Sequence, residues 1–478
     1  MNYEMVIGLE VHVELATKTK LFCGCSTDFG AAANENVCPA CAGMPGMPAV
    51  TNRKAVELGV AAALLTNSEI AGTMTFDKKN YFYPDLPAGY QVTQFFAPVC
   101  RNGFVDIETD AGKKRISLKQ IHIEEDAGKL VHDRGTGATF VDFNRTSVPL
   151  IEIVSNPDFR SSSEVVAYLD KLRSLLSFAE VSDCKMQEGS MRCDVNISVR
   201  EVGESEFGVR IEIKNMSSLK AITAAIAYEF DRQTEALETG SEKLIQQTRR
   251  WDDGRGETFS MREKENADDY RYFPNPELMP IHIDSEWIEA VRKSLPETAS
   301  DKRWRMINEL GLSEYDSSII TASKRLSDIF DATLTLLDNP KEIANWIIVE
   351  LLSIQTGENK TGDDIEIDCV KFASLIELVC NRTINRNVGK KLLFRVIEEN
   401  IDPKAYVEEH KLGMISDAEA VGQAVREVLA ENGKTVLEYK NGNEKVFGFL
   451  IGQVMRRLGG KADPAVVNRL LAEGLGGD

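Results

Sequence analysis

Hydrophobic and polar residues alternate near the start of the chain. Apolar side chains occupy every second position from Met5 to Leu15, and Glu10, His12 and Glu14 lie between them. A period of two predicts a β-strand with one apolar and one polar face. We therefore expect these three polar side chains on the same face of a sheet.

A second region of alternation predicts a β-hairpin. Residues 190–200 carry apolar side chains at odd positions, with Asp194 among the polar ones. After the turn-like segment 203–208, residues 209–215 repeat the pattern with Glu212 on the polar side. Both strands thus place a carboxylate on their polar face. Helices are predicted near residues 51–66, 162–178 and 217–239.

Helical periodicity replaces the alternation after Pro296. Asn339 and Pro340 have the residue types of a helix N-cap and first helical position. Apolar residues at helix spacing follow them, and a smaller helical module begins near residue 406. The sequence therefore predicts an α+β fold. Its expected domains are residues 1–293, a mixed β-sheet with helices, residues 294–405, a helical domain, and residues 406–478, a helical tail.

Composition narrows the functional classes. The chain has 478 residues and a formal net charge of −19, with 56 Lys and Arg against 75 Asp and Glu. This balance excludes non-specific coating of DNA or RNA, because neutralising phosphates needs an excess of basic residues. A local basic patch for one structured RNA is still compatible with it. The tail from residue 406 is nearly balanced in charge and is the better place for such a contact.

Membrane insertion and secretion are not expected. Charged residues interrupt every apolar stretch before it reaches membrane-spanning length. The first residues lack the basic flank and apolar core of a signal peptide. Nine cysteines, an odd number, favour a reducing compartment without a disulfide framework. We therefore expect a cytoplasmic protein with no membrane and no DNA partner.

Four cysteines are arranged in two short pairs. Cys23 and Cys25 are separated by one residue, and Cys38 and Cys41 by two, with twelve residues between the pairs. Such spacing predicts a tetrahedral zinc site, which would be structural because four thiolates leave no open coordination position. The alternative is a set of four reduced core thiols that lie close in sequence.

Acidic residues on strand-like segments suggest a second kind of metal site. The candidates are Glu10, His12, Glu124, Glu125, Asp194 and Glu212. Oxygen ligands suit magnesium, which is held by a few carboxylates together with water and substrate phosphates. The alternative is that each is a solvated strand residue, and that His12 is a hydrogen-bonded residue of a polar face.

Common catalytic motifs are absent. No Gly-x-Ser-x-Gly elbow occurs, and the serines at 161–163 precede a predicted helix, where serine is a typical N-cap. Residues 433–435 resemble the end of a phosphate-binding loop but lack its first glycine. Residues 249–273 combine arginines with aromatic residues, which can hold a nucleotide or single-stranded RNA or simply pack into the core.

Many motifs in a fixed order resemble the B subunits of tRNA-dependent amidotransferases, the GatB family. Besides the cysteine pairs they are Met5–His12, Lys79–Pro87, Gly89–Gln91, Ile123–Lys129, Val141–Arg145, Met191–Asn196, Glu212–Asn215, Arg271–Pro274, Gly448–Gly452 and Gly459–Pro464. The resemblance covers the whole chain. One departure is Ser147, which stands where the family usually has glycine.

The resemblance implies a cradle akin to glutamine synthetase, followed by a helical domain and a helical tail. It implies a ligase in a heterotrimer with an amidase-type A subunit and a small C subunit. ATP would phosphorylate the side chain of tRNA-bound glutamate or aspartate, and ammonia channelled from the glutaminase A subunit would displace phosphate. The alternative hypothesis is a non-catalytic, zinc-stabilised tRNA-binding scaffold protein.

The resemblance also assigns roles to residues. Glu10, His12, Glu124, Glu125, Asp194 and Glu212 would be catalytic, and magnesium would be held by His12, Glu10, Glu125 and Glu212. Lys214 and Arg192 would bind ATP, while Lys79, Tyr81 and Asp85 would line the ammonia route. Arg456, Arg457 and Lys461 would contact the misacylated tRNA.

Overall fold

The chain forms two compact units, Met1–Thr298 and Ala299–Asp478. The structure, a computed structural model, describes residues 2–47, 49–133, 135–263, 267–356, 362–414, 418–459 and 462–476. The division into three domains at residues 293 and 405 stays a prediction.

The first unit is built mainly of strands. In the described residues they are β1 (Tyr3–Glu14), β2 (Glu69–Ile70), β3 (Thr73–Met74), β4 (Asp77–Asn80), β5 (Tyr90–Thr93), β6 (Cys100–Arg101), β7 (Phe104–Thr109), β8 (Gly112–Glu125), β9 (Lys129–His132), β10 (Thr139–Asp142), β11 (Pro149–Ser155), β12 (Met191–Glu201), β13 (Ile211–Lys214), β14 (Gln247–Asp252), β15 (Glu257–Glu263), β16 (Phe273–Pro274) and β17 (Ile281–His282). Its helices are α1 (Arg53–Leu65), α2 (Ser162–Phe178), α3 (Leu219–Thr239), a 3₁₀ turn (Ala267–Tyr270) and α4 (Ser285–Ser294).

The largest sheet of the described residues has ten strands. Its order is β15-β14-β13-β12-β1-β11-β8-β6-β2, with β7 also paired to β8. Strands β13 and β14 run parallel, whereas β1 pairs antiparallel with both β11 and β12. The sheet is therefore mixed, and the predicted α+β class and the predicted hairpin of β12 and β13 are confirmed.

The two faces of this sheet differ as the alternation predicts. Odd-numbered residues of β1, such as Leu9 and Val11, are buried in a core that α1, α2 and α3 cover. The three helices begin where Asn52, Ser161 and Ser218 accept a hydrogen bond from a backbone N–H of the first turn. Ser161 is thus a helix cap, as predicted. The opposite face of β1 carries the polar side chains.

The second unit is helical. Its described helices are α5 (Ala299–Asn308), α6 (Glu314–Ile320), α7 (Lys324–Leu334), α8 (Pro340–Asn345), a π-helical turn (Trp346–Leu351), α9 (Leu352–Thr356), a 3₁₀ turn (Gly362–Asp364), α10 (Cys369–Cys380), α11 (Arg386–Glu399), α12 (Pro403–Glu409), α13 (Ala418–Glu431), α14 (Gly433–Lys440), α15 (Val446–Arg457) and α16 (Pro464–Leu475). Asn339 caps α8 and Pro340 is its first residue, as predicted.

The described residues of the second unit form two hydrophobic clusters. One extends from Met306 to Val407, so that α12 packs with the preceding helices. The other extends from Val421 to Leu475 and joins α13, α15 and α16. In the part of the chain that the structure describes, no helix combines the length and the hydropathy needed to cross a membrane.

Candidate functional site

The polar face of the large sheet brings together residues that are far apart in sequence. His12 of β1 lies opposite Glu152 of β11, and Glu152 lies opposite His122 of β8. On the other side of β1, Glu10 lies opposite Asp194 of β12. Directly opposed residues of neighbouring strands point to the same face. The register therefore gathers imidazoles and carboxylates over the centre of the sheet.

One cluster on this face contains two histidines and two glutamates. His12 Nε2 lies 3.6 Å from Glu124 Oε1 and 3.5 Å from Glu152 Oε2. His122 Nε2 lies 2.9 Å from Glu152 Oε2 and 3.5 Å from Glu124 Oε2. Ligand atoms of His12, Glu124 and Glu152 all lie within 4.8 Å of one another, as in a metal site.

Burial and charge act in opposite directions on these imidazoles. Burial lowers the pKa of His12, but the carboxylates of Glu152 and Glu124 outweigh it and raise that pKa to about 9. The same opposition raises the pKa of His122 to about 10. Burial likewise raises the pKa of Glu152, but the two imidazoles outweigh it and hold it well below its usual range. The two imidazoles and the carboxylate of Glu152 thus favour one another's charged forms.

A second cluster consists of carboxylates. Oxygen atoms of Glu10, Asp194 and Glu212 lie within 4.8 Å of one another. The Lys214 ammonium contacts Asp194 and lies 3.3 Å from Glu212 Oε1. Asn196 Nδ2 donates a hydrogen bond of 3.0 Å to Glu10 Oε1. Like charges this close need a cation between them, and Lys214 supplies one positive charge at this place.

Residues of both clusters line one cavity of about 430 Å³, although Asp194 is not among its lining residues. Aromatic rings and a lysine form another wall, namely Tyr81, Phe95, Tyr270, Tyr272 and Lys79. The rings of Phe95 and Tyr272 are stacked with centroids 4.2 Å apart. Lys79 Nζ lies 4.7 Å from the centre of the Tyr270 ring. A cavity with metal-ligand clusters, a cation and stacking surfaces has the chemistry needed for a nucleotide and its phosphates.

Glu125 lies elsewhere. Consecutive strand residues point to opposite faces, so Glu124 enters the polar cavity while Glu125 lines a separate cavity of about 210 Å³. Its carboxylate accepts hydrogen bonds from Val92 N at 2.8 Å and from Ser147 Oγ at 2.6 Å. Burial raises the pKa of Glu125 to about 7, although both hydrogen bonds oppose the rise. The structure does not bring Glu125 together with the other residues predicted to hold magnesium. Those residues are themselves divided between two clusters, with His12 in one and Glu10 and Glu212 in the other.

The four cysteines converge. The sulfur atoms of Cys23, Cys25, Cys38 and Cys41 all lie within 4.8 Å of one another, and Cys41 Sγ lies 3.9 Å from Cys38 Sγ. The cluster could therefore hold a metal ion, and four sulfurs suit zinc. Lys20 is fully buried beside it, with Nζ 3.6 Å from Cys41 Sγ. Its ammonium also donates hydrogen bonds to the backbone carbonyls of residues 36 and 143.

Comparisons with known proteins identify the family of the chain. The family description "GatB/GatE catalytic domain" matches residues 5–289, and the description "GatB domain" matches residues 328–475. The chain belongs to the GatB/GatE family. The B subunit of the aspartyl/glutamyl-tRNA(Asn/Gln) amidotransferase of Lachnoclostridium phytofermentans is 52% identical over 471 residues, which cover 98% of both chains. The protein of that name from Caldicellulosiruptor bescii is 50% identical, with 99% of both chains covered.

Membership of the GatB/GatE family confirms the resemblance that the motifs indicated. Another bacterium, Thermodesulfovibrio yellowstonii, has a protein of the same name that is 48% identical and covers 98% of this chain. The first match lies in the first unit and the second match lies in the second unit, so the family resemblance covers both. The catalytic-domain match contains both ligand clusters, the cysteine cluster and the two cavities.

The other predicted site residues fall in different places. Lys79 and Tyr81 line the polar cavity, whereas Asp85 is not among its lining residues and has Arg145 and Asp126 as charged neighbours. Arg192 donates a hydrogen bond of 2.9 Å to Asp126 Oδ2. Its guanidinium is therefore held at the end of the sheet that carries Asp126, and it does not line the polar cavity.

The predicted tRNA contacts lie in the second unit. Arg456 and Arg457 are exposed residues near the end of α15. Arg457 lies 2.8 Å from Glu431 and 3.5 Å from Glu427. Lys461 lies outside the described residues. The role of this segment in binding tRNA stays a prediction.

Sequence reasoning missed two members of the first cluster, His122 and Glu152. His122 precedes Glu124 by two residues, so a period of two places both on one face of β8. Glu152 is the polar residue in the middle of the apolar strand β11. A charged residue inside an otherwise buried strand was the signal that could have found it.

Proposed function

We propose that this protein is the B subunit of a glutamine-dependent tRNA amidotransferase, a ligase that works in the cytoplasm with an A and a C subunit. Its substrates are misacylated Glu-tRNA(Gln), Asp-tRNA(Asn) or both, and its products are the amidated tRNAs. The names of relatives that are about half identical over nearly the full chain support this assignment.

The reaction needs an activated carboxylate, because a carboxylate is itself a poor electrophile. Phosphorylation by ATP converts one carboxylate oxygen into part of a leaving group, and ammonia then replaces phosphate at the carbonyl carbon. Phosphoryl transfer depends on positioning and on neutralising the charge of the phosphates. A bound Mg²⁺ supplies that neutralisation. The polar cavity is the best place for this step because two ligand clusters meet there.

Glu10, Asp194 and Glu212 are the proposed magnesium ligands. Three carboxylates offer hard oxygen donors and leave positions for water and phosphate oxygens, as magnesium requires. Lys214 occupies the charge-balancing position within this cluster. Lys214 also lines the polar cavity, and we keep its proposed role in binding ATP. We leave Glu125 out of this magnesium site because it faces the other cavity.

The aromatic wall is proposed to hold a purine base. Phe95 and Tyr272 present stacked rings at the cavity, and stacking on aromatic side chains is a common way to bind a base. Lys79 and Tyr81 on the same wall stay the proposed entry for ammonia. Glu125 lines the second cavity, and Asp85 directly precedes Leu86, another residue of its lining. Asp85 stays a proposed residue of the ammonia route.

The non-catalytic scaffold is the less favoured alternative. A scaffold has no need for seven ionisable side chains gathered in two clusters on one sheet face, since desolvating charges costs free energy. Those side chains are Glu10, His12, His122, Glu124, Glu152, Asp194 and Glu212. Their convergence on the polar face is the single observation that carries the proposed function.

The test is an assay of the reconstituted complex. The complex with Asp194→Asn receives ATP, ammonia and Glu-tRNA, so that glutaminase activity is not needed. We expect amide formation and tRNA-dependent ADP release to fall together by about 10–100-fold or more, the usual effect of disturbing a metal site. Glu201→Gln, an exposed change on the same strand, is the matched control and should retain activity. Normal amide formation by Asp194→Asn would favour the scaffold.

A further inference from the structure

Lys20 is an unusual lysine because its side chain is fully buried, with 0% of the residue exposed. It lies between β1 and α1, a few residues before Cys23, and it does not line the polar cavity. Lysine is rarely buried to this extent, since taking an ammonium out of water costs free energy unless other groups compensate it. The reason for its burial therefore lies in the groups that surround the ammonium.

The ammonium of Lys20 has three hydrogen-bond acceptors in the described part of the chain. It donates to the carbonyl oxygen of Asn36 at 2.7 Å, to that of Phe143 at 3.1 Å and to Cys41 Sγ at 3.6 Å. An ammonium has three N–H donors, so each of them has an acceptor. Both carbonyls are neutral, and no carboxylate is among the acceptors. The acceptor that can carry a negative charge is the sulfur of Cys41.

A metal ion in the cysteine cluster makes that sulfur a thiolate. Four thiolates around one divalent ion leave a net charge of about −2, which is unfavourable in a partly buried place. The ammonium of Lys20 offsets part of this charge, and the cluster in turn offsets the charge of the lysine. A second donor points at the same sulfur, since the backbone N–H of Cys38 donates to Cys41 Sγ at 3.2 Å.

Lys20 also joins the segments that form the cluster. Its backbone N–H donates to the carbonyl of Cys25 at 3.0 Å, while its side chain reaches Cys41 of the other cysteine pair. The hydrogen bond to the Phe143 carbonyl adds a third segment of the chain. The lysine is thus fixed at its backbone and at its ammonium, so the ammonium is held against the sulfur.

We propose that Lys20 is a positioning residue of the cysteine cluster, which holds the Cys41 thiolate on its metal ion and lowers the reactivity of that thiolate. A donated N–H stabilises the lone pairs of sulfur, and a thiolate with stabilised lone pairs is a weaker nucleophile. Cys41 needs this protection because it lines the cavity of about 210 Å³, where small molecules have space to approach. The inference rests on a metal ion in the cysteine cluster and not on the amidotransferase reaction.

Cobalt substitution measures the effect on the sulfur directly. The full chain is loaded with Co²⁺ in place of zinc, and the thiolate-to-cobalt charge-transfer band is recorded, a band that carboxylates and imidazoles do not give. Lys20→Met removes the charge and the N–H donors, so the lone pairs of sulfur rise in energy and the band should move to longer wavelength. Lys18 is exposed, and Lys18→Met is the matched control that should keep the native band.

Alkylation tests the protection of Cys41. Zinc-loaded protein is treated with iodoacetamide, and mass spectrometry follows each cysteine. Cys41 of Lys20→Met should react at least about tenfold faster than Cys41 of the native protein and of Lys18→Met, with release of zinc. Cys100 and Cys193 are buried outside the cluster and should stay unmodified in all three proteins. A variant that had only lost its fold would expose these two cysteines as well.

Lys20→Gln keeps the inference falsifiable if Lys20→Met does not fold. Glutamine retains N–H donors for the two carbonyls but carries no charge, so we expect the same shift of the band and faster alkylation of Cys41, both to a smaller extent. A native band and a native alkylation rate in a folded Lys20 variant would overturn the inference. Equal acceleration at all cysteines, or a native chain that binds neither Zn²⁺ nor Co²⁺ at its cysteines, would overturn it too. Neither readout involves amide formation, so these failures leave the proposed function standing.

Discussion

Ser147 gives the sharpest prediction because two opposing effects meet in one residue. Its φ of +62° is left-handed, a conformation that costs a non-glycine residue about 1–2 kcal/mol. Its hydroxyl donates a hydrogen bond of 2.6 Å to Glu125 Oε2 in a buried place. A hydrogen bond to a charged group contributes about 1.5–3 kcal/mol.

Two substitutions separate these effects. Ser147→Ala loses the hydrogen bond and keeps the strained backbone, so we expect a loss of about 2 kcal/mol. Ser147→Gly also loses the hydrogen bond but relieves the strain, and after the entropy of the unfolded glycine the relief is about 0.5–1 kcal/mol. The expected order of stability is therefore native protein first, then Ser147→Gly, then Ser147→Ala.

The stability that is lost with the Ser147 hydroxyl should depend on pH, because its partner Glu125 titrates. Burial raises the folded pKa of Glu125 to about 7, above the value of about 4.3 in an unfolded chain. At pH values between these two pKa values, Glu125 is protonated in the folded state and ionised in the unfolded chain. The contribution of Glu125 to the free energy of unfolding therefore falls as pH rises through this window. Removing the Ser147 hydroxyl raises that folded pKa further. Each additional pKa unit costs about 1.4 kcal/mol above the new folded pKa.

Calorimetry on the native protein and both variants at pH 5.5, 7 and 8.5 checks this reasoning. For a unit of this size, 1 kcal/mol corresponds to about 2 °C in the transition temperature. At pH 5.5, where Glu125 is protonated, we expect Ser147→Ala to be close to the native protein and Ser147→Gly to stay about 0.5–1 kcal/mol above Ser147→Ala, because relief of backbone strain does not depend on pH. The losses caused by the missing hydrogen bond should reach their full size at pH 8.5. Equal transition temperatures for the two variants, or losses that do not change with pH, would refute the account of Ser147.

Three further predictions concern the charged and metal-binding groups. Metal analysis of the native protein should find about one equivalent of zinc. Cys41→Ser should lose this zinc and unfold at a lower temperature. Less than about half an equivalent of zinc in the native protein would contradict the zinc assignment. In the presence of a chelator, Lys214→Met should be less stable than the native protein, because Asp194 loses its neighbouring cation. Adding Mg²⁺ should restore the transition temperature of this variant. If Mg²⁺ does not restore it, the result argues against a cation site beside Asp194. Glu229→Gln should lower the free energy of unfolding by about 3–5 kcal/mol, because it removes the buried carboxylate that lies 2.9 Å from Arg249 Nε. Unfolding in denaturant measures this loss, and a loss below about 1 kcal/mol would refute the prediction.

Alternation along the chain predicted much of what positions the site. The period of two placed Glu10 and His12 on the polar face of β1 and Asp194 on that of β12, and the register pairs Glu10 with Asp194. Polar faces follow from local sequence because side chains alternate across a strand. Which strands become neighbours depends on long-range pairing, so the contact of His12 with Glu152 could not be read from either segment alone.

The limits of sequence reasoning show at neighbouring residues. The sequence prediction groups Glu124 with Glu125, but one strand places them in two different cavities. Their opposite directions follow from the same period of two that applies to β1. Lys20 illustrates a different limit, since nothing local indicates that a lysine is fully buried beside the thiolates. Its burial depends on acceptors, such as the Phe143 carbonyl, that lie far away in the chain.

Transfer of an oxygen isotope tests most directly whether the polar cavity activates a carboxylate by phosphorylation. Glu-tRNA labelled with ¹⁸O in its side-chain carboxylate is given to the reconstituted complex with ATP and ammonia. If an acyl phosphate forms, cleavage of its carbon–oxygen bond by ammonia delivers one labelled oxygen to inorganic phosphate for each amide made. The same complex with Asp194→Asn should release almost no labelled phosphate. Amide formation that leaves the phosphate free of ¹⁸O would contradict the account.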